Sequence, residues 1–198
     1  MATEIELKAV VPDPAALRQR LLAAGAAEVF RGMLRDRRLD RGGELQQVDQ
    51  VLRLRRWIPS DGPERAELGW KGATAVSPEG YKRREEIEVA ASSGADALRL
   101  LQALGYEVTH AIDRYVEVYR LDGTIARLEW YPRMDVLVEI EGTPGGIERL
   151  IAIADLPRDS CVADALVQFV ARYEVRTSRQ AVLAEAALGG EAPAWSAA

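Results

Sequence analysis

Segment after segment of this chain alternates charged and apolar residues with a period of two, a pattern that fits strands rather than helices. The first reads Glu4-Ile5-Glu6-Leu7-Lys8. Later segments place Arg53 with Arg55, Glu67 with Lys71, Arg84 with Glu86 and Glu88, Arg127 with Glu129, and Glu139 with Glu141 on one face. The intervening Ile5, Leu7, Leu52, Leu54, Ile87, Leu128, Val138 and Ile140 make the other face apolar. Two architectures satisfy this pattern. One is a sheet whose charged face is solvated and ion-paired. The other is a barrel whose apolar outer face is covered by helices and whose lumen is charged, since interior and exterior residues alternate along every barrel strand.

Helices fall between these strands. Asp13-Pro14 opens one with a Leu17, Leu21 and Leu22 stripe, ended by Gly25. Ser92-Ser93 caps another, carrying Leu98, Leu101 and Leu104. Asp122-Gly123 marks a hairpin turn. From Thr143 the pattern turns helical, in two segments separated by Pro157. The Leu/Ala-rich stretch 178–189 predicts a further helix, for packing or for a homodimer contact, and 190–198 a frayed end. The expected organisation is an α+β domain over residues 1–175, followed by a helical extension and tail over 176–198.

Composition narrows the chemistry. The chain of 198 residues holds one His and one Cys, His110 and Cys161. That excludes a structural zinc, iron–sulfur or disulfide site built within it, and a Ser-His-Asp triad would have to use His110 without a nucleophile-elbow motif. His110 is expected on the surface or hydrogen-bonded, and Cys161 packed as a small apolar residue. No run of 18 apolar residues predicts a membrane span, the start lacks signal-peptide character, and the expected location is cytoplasmic. The net charge of -5 and pI of 5.1 argue against general nucleic-acid coating. Working groups must therefore be carboxylates, Arg and Lys. In a charged lumen these suit one ligand class: carboxylates hold a hard cation such as Mg²⁺ or Mn²⁺, while Arg and Lys hold the oxygens of a polyphosphate or nucleoside triphosphate.

The arrangement resembles the CYTH family of triphosphate tunnel metalloenzymes, which includes class IV adenylyl cyclases, thiamine triphosphatases and inorganic triphosphatases. The resemblance rests on Glu4-Ile5-Glu6-Leu7-Lys8 followed in order by Leu52-Arg53-Leu54-Arg55, Trp70-Lys71-Gly72, Arg84-Glu85-Glu86-Ile87-Glu88, Tyr119-Arg120-Leu121-Asp122-Gly123 and Val138-Glu139-Ile140-Glu141, and covers residues 3–172. It implies an eight-stranded antiparallel barrel with helices packed outside. It further implies Glu4 and Glu6 as metal ligands with Glu139 or Glu141, and Glu86, Glu88 and Glu129 completing the acidic side directly or through water. Lys8, Arg53, Arg55, Lys71, Arg84 and Arg114 would hold phosphates. Three departures stand out: Val116 replaces a second basic residue, for which Arg127 could substitute; Glu129 replaces an Asp; and the segment after the first helix reads Asp36-Arg37-Arg38-Leu39-Asp40. The Arg35–Arg38 run is expected in a solvated loop or strand edge.

The leading expectation is a metal-dependent phosphohydrolase acting on a triphosphate, with Glu6, Glu88 or Glu141 orienting the water. Adenylyl cyclase chemistry and a non-catalytic triphosphate-binding module are the alternatives. Trp57, Trp70, Trp130 and Tyr81 are expected to pack, unless one near the mouth stacks an organic ring.

Overall fold

The computed structural model describes residues 2–197. In chain order the elements are β1 (Ala2–Val10), α1 (Pro14–Ala23), β2 (Ala27–Asp40), α2 (Glu44–Gln47), β3 (Val51–Pro59), β4 (Arg65–Lys71), β5 (Ala75–Val76), β6 (Lys82–Ala91), α3 (Gly94–Ala103), β7 (Glu107–Leu121), β8 (Thr124–Trp130), β9 (Leu137–Glu141), α4 (Pro144–Ala154) and α5 (Leu166–Thr177). The strands run β1-β9-β8-β7-β2-β3-β4-β6, and β6 pairs again with β1, so eight antiparallel strands close on themselves. The two-residue β5 continues the β4 edge along β6. Closure removes the free edges that an open sheet would expose. The barrel, and not the solvated open sheet, is the architecture adopted.

Local sequence explains most elements. Asp13 accepts from the Ala16 N–H at the start of α1, Ser93 from Asp96 at α3, and Thr143 from Gly146 at α4. Asp122 and Gly123 both have positive φ, 48° and 80°, as a two-residue turn matched to strand twist requires.

The outer apolar faces of β1, β8 and β9 are buried under α1 and α4, where Leu7, Leu128, Val138 and Ile140 meet Leu17, Leu21, Ile147 and Leu150. Phe169 and Tyr173 of α5 cover Ile112, Tyr131, Met134 and Leu137. A third cluster lies on the inward side near one mouth: Leu34, Trp57, Val116 and Val118, with Phe30 and Ile125 against it. Val116 therefore plugs rather than charges its position. No helix among the described residues is long and apolar enough to cross a membrane.

Two expectations are corrected. Residues 178–189 form no α-helix. Val182 pairs in both directions with Arg133, the Leu183 carbonyl accepts from the Asp113 N–H, and only a single 3₁₀ turn follows at Glu185–Ala187. Burial of Val182 and Leu188, together with backbone partners on the barrel, outweighs helix propensity there. The Arg35–Arg38 run is neither loop nor edge. It lies mid-strand in β2, paired to β3 on one side and β7 on the other.

Candidate active site

The charged face of each strand points into the barrel. β1 contributes Glu4, Glu6 and Lys8, and β9 lies beside it in a register that sets Glu139 opposite Lys8 and Glu141 opposite Glu6. This brings Glu4, Glu6 and Glu139 together: one carboxylate oxygen from each lies within 4.8 Å of the others, and all three residues are buried. Three buried carboxylates repel, so they stay ionised only against cations. Lys71 donates to Glu4 at 2.5 Å, Lys82 to Glu6 at 2.5 Å, Lys8 to Glu6 at 3.0 Å and to Glu139, and Arg127 to Glu139.

Protonation follows these neighbours. Burial and the adjacent Glu6 raise Glu4 above the ordinary carboxylate value. Burial and Glu139 push Glu6 upward, but Lys8, Lys82 and Lys71 outweigh them and hold it below that value. Burial, Glu4 and Glu139 lift Glu141 to about 7. Among the described residues Glu141 makes no ion pair and accepts no side-chain hydrogen bond.

A second knot fixes the arginines. Asp36 accepts from Arg55 Nε at 2.7 Å and Nη2 at 2.9 Å, and from Arg114 Nη2 at 2.5 Å. Arg114 continues to Glu129 at 2.7 Å, Arg127 joins Glu129 at 2.9 Å, and the Tyr131 hydroxyl donates to its other oxygen at 2.6 Å. Burial and Glu129 hold Tyr131 far above its usual pKa, so it remains a donor. Glu129 thus lies outside the Glu4–Glu6–Glu139 group, with its oxygens occupied. Glu86 pairs with Lys71 at 3.1 Å and lies 3.5 Å from Arg53. Glu88 is exposed and accepts from Arg53 at 2.8 Å. Arg84 donates to the Gly72 and Asp49 carbonyls. Gly69 faces Arg53 and Glu88, and a Cβ there would already lie 3.4 Å from Arg53 Nη2. A larger side chain there would fill the guanidinium's space.

The lumen has two chemically different chambers. One, about 180 Å³, is lined by nine basic residues against four acidic ones: Lys8, Arg38, Arg53, Arg55, Lys71, Lys82, Arg84, Arg114 and Arg127 against Glu6, Asp36, Asp49 and Glu139. The other, about 390 Å³, carries Glu4, Glu67, Glu86, Glu88 and Glu141 with Trp57 and Phe30. Arg55, Lys71 and Arg127 line both.

Four lumen residues escaped sequence reading: Asp36, Arg38, Lys82 and Tyr131. Lys82 shares strand phase with Arg84 and was legible in principle. Asp36 and Arg38 were masked because Arg35 and Arg37 charge the opposite face of β2 as well. Tyr131 lies just past the end of β8, where phase carries no information. His110 is exposed beside Thr109, Cys161 is buried, and Trp57 packs edge-on to Phe30 with 4.9 Å between ring centroids.

No protein-family profile and no curated protein matches the sequence. Solved structures do. A candidate adenylate cyclase from Vibrio parahaemolyticus superimposes with a TM-score of 0.69 at 17% identity, over 85% of this chain and 97% of that one. The chain shares the barrel fold of that structure. A candidate adenylyl cyclase from Hippeastrum, whose structure is described with a dominant triphosphatase activity, matches with a TM-score of 0.63 at 19% identity, over 87% and 96% of the two chains. A Pyrococcus horikoshii protein matches at 0.69 and 21%, over 89% and 99%. At these identities the likeness establishes the barrel fold alone. The tunnel's chemistry has to be read from its own side chains.

The acidic trio suits a divalent metal by its donor set. Three converging carboxylates and no nitrogen or sulfur ligand favour a hard, oxygen-seeking cation.

Proposed function

We propose that the protein is a divalent-metal-dependent triphosphatase acting on a triphosphate held in the tunnel. The observation that carries this reading is the buried Glu4–Glu6–Glu139 group set directly beside the chamber of nine basic residues. Either feature alone has ordinary explanations. Together they match the two halves of a metal–polyphosphate: a cation and the oxygens it bridges.

Glu4, Glu6 and Glu139 would hold Mg²⁺ or Mn²⁺, which would supply charge neutralisation at the phosphoryl oxygens. Lys8, Arg53, Arg55, Lys82, Arg84 and Arg114 would bind the phosphate chain. Their positions are already fixed by carboxylate and carbonyl partners, so little ordering remains on binding. Arg38, which has no carboxylate within 4.0 Å among the described residues, is the lumen cation with the most donors to spare. Of the three carboxylates expected to orient water, Glu6 is held by two lysines and Glu88 is exposed on Arg53. Glu141 is unpaired and lines the adjoining chamber, which makes it the choice for the base.

The test is direct. Purified protein with Mg²⁺ or Mn²⁺ is given tripolyphosphate, ATP and thiamine triphosphate, and the products are identified by mass. Orthophosphate release is the expected result. Cyclic AMP with pyrophosphate would show the cyclase instead, and tight binding without turnover a non-catalytic module.

A further inference from the structure

A second cationic cavity lies outside the tunnel, on the outer wall where α3 packs on β3 and β4 beside β2. It measures about 490 Å³ and is lined by Arg35, Arg37, Arg56 and Arg65, with Glu64 the one acidic residue in its wall among the described residues. Strand phase puts the β2 and β3 arginines there, because Arg35, Arg37 and Arg56 have the parity opposite to Asp36, Arg53 and Arg55. Arg35 and Arg56 are direct cross-strand partners. Like charges so placed are destabilising, and the fold keeps them.

The local carboxylates do not use up this positive charge. Glu185 takes Arg35, Asp113 takes Arg37 and Glu64 takes Arg56. Arg65 has no carboxylate within 4.0 Å among the described residues; its guanidinium lies 4.7 Å from the centre of the Trp57 ring. The Nε of Arg35 is buried without a hydrogen-bond partner. The first turn of α3 faces the same space. Ser93 satisfies the N–H groups of Asp96 and Ala97, which leaves those of Gly94 and Ala95, both in the cavity wall, without an intrahelical partner. Leu54, Ala66, Ala91 and Leu98 give the remaining wall an apolar character.

We propose that this cavity is a second anion site, for a small molecule bearing a terminal phosphate, independent of the triphosphate in the tunnel. Forked guanidinium donors and free N–H groups at a helix start are complementary to phosphate oxygens. The volume exceeds that of a lone phosphate and falls within the range of small-molecule sites, roughly 300–1,000 Å³. Among the described residues Arg65 is the only one it shares with either tunnel chamber.

The experiment is calorimetric titration of the full-length chain, without metal, using pyrophosphate in one arm and glycerol 3-phosphate in the other. Wild type is compared with Ala95→Glu and with Arg65→Gln. A carboxylate at position 95 is compatible with the first turn of a helix and repels an anion, so this variant is expected to fold. Wild type should bind one equivalent more than both variants in at least one arm, and the arm showing it tells inorganic from organic phosphate. Equal stoichiometry and affinity between wild type and either variant in both arms would overturn the proposal. Because the readout is binding and Ala95 lines neither tunnel chamber, the Ala95→Glu result reports on the outer cavity alone and is separable from whether the tunnel hydrolyses triphosphate.

Discussion

Asp36 and Arg55 face each other across β2 and β3 and form a two-pronged ion pair inside the barrel, Oδ1 to Nε at 2.7 Å and Oδ2 to Nη2 at 2.9 Å. Arg114 joins the same carboxylate at 2.5 Å. Both arginines are thereby held toward the chamber where the proposed triphosphate sits.

Removing this carboxylate leaves two buried guanidinium groups short of a partner. Asp36→Asn is expected to destabilise the fold by roughly 3–5 kcal/mol, the cost of breaking a buried pair from one side. Denaturant melts of wild type and variant measure it. A loss under about 1 kcal/mol, the scale of a surface pair, would show that the knot is not buried as described.

The same pair sets an acid limit. Burial alone would raise the Asp36 pKa, but Arg55 and Arg114 hold it well below the ordinary value of 3.8. A carboxyl depressed on folding contributes its full stability above the unfolded value and loses it as pH falls through the window below. The stability gap between wild type and Asp36→Asn should therefore be constant near neutrality and shrink from about pH 4 downward. Melting temperatures across that range test it; a gap that widens toward acid would contradict the assignment.

Neutralising the acidic trio should uncouple metal from activity. Glu4→Gln, Glu6→Gln and Glu139→Gln are each expected to lower turnover by roughly 100-fold and to raise the Mg²⁺ or Mn²⁺ concentration needed for half-activity. Chelation of wild type should abolish turnover reversibly. If the double variant Glu4→Gln with Glu6→Gln keeps both activity and metal binding, the metal centre lies elsewhere.

Glu141 and Glu88 separate the candidates for water activation. Glu141→Gln should reduce kcat by about 10²–10⁴-fold with little change in KM. Glu88→Gln, on an exposed carboxylate already tied to Arg53, should alter kcat by less than tenfold. Steady-state kinetics on both variants decides between them, and a larger kcat loss in Glu88→Gln would reverse the assignment.

Lys82, which donates to Glu6 in the basic chamber, should contribute to substrate binding. Lys82→Gln is expected to raise KM by roughly 10- to 150-fold, the effect of losing one charge-assisted contact of roughly 1.5–3 kcal/mol. An unchanged KM would leave Lys82 as a partner of Glu6 alone.

Strand phase was enough to separate the two faces of β1, β8 and β9, where one set of alternate residues is free of charge, and of the Leu52–Arg55 stretch of β3. Glu4, Glu6, Lys8, Arg53, Arg55, Arg127 and Glu139 could therefore be assigned to one side without coordinates. Phase failed on β2, where both faces are charged. There the local pattern cannot distinguish Asp36 and Arg38, which face the lumen, from Arg35 and Arg37, which face the outer cavity. It failed again over 178–189, where partners on Arg133 and Asp113 draw the backbone into an extended path.

The sequence by itself determined that this chain makes amphipathic strands with one charged face, because side-chain direction along a strand repeats every two residues whatever the strand packs against. Only the tertiary structure decided which carboxylates share a cation site and which serve to hold arginines. Glu139 and Glu129 sit on adjacent strands with the same phase. One falls beside Glu4 and Glu6, while the other is enclosed by Arg114, Arg127 and Tyr131. Strand order and register, set by barrel closure through β1 and β6, put them in different company, and neither order nor register is encoded in any single strand.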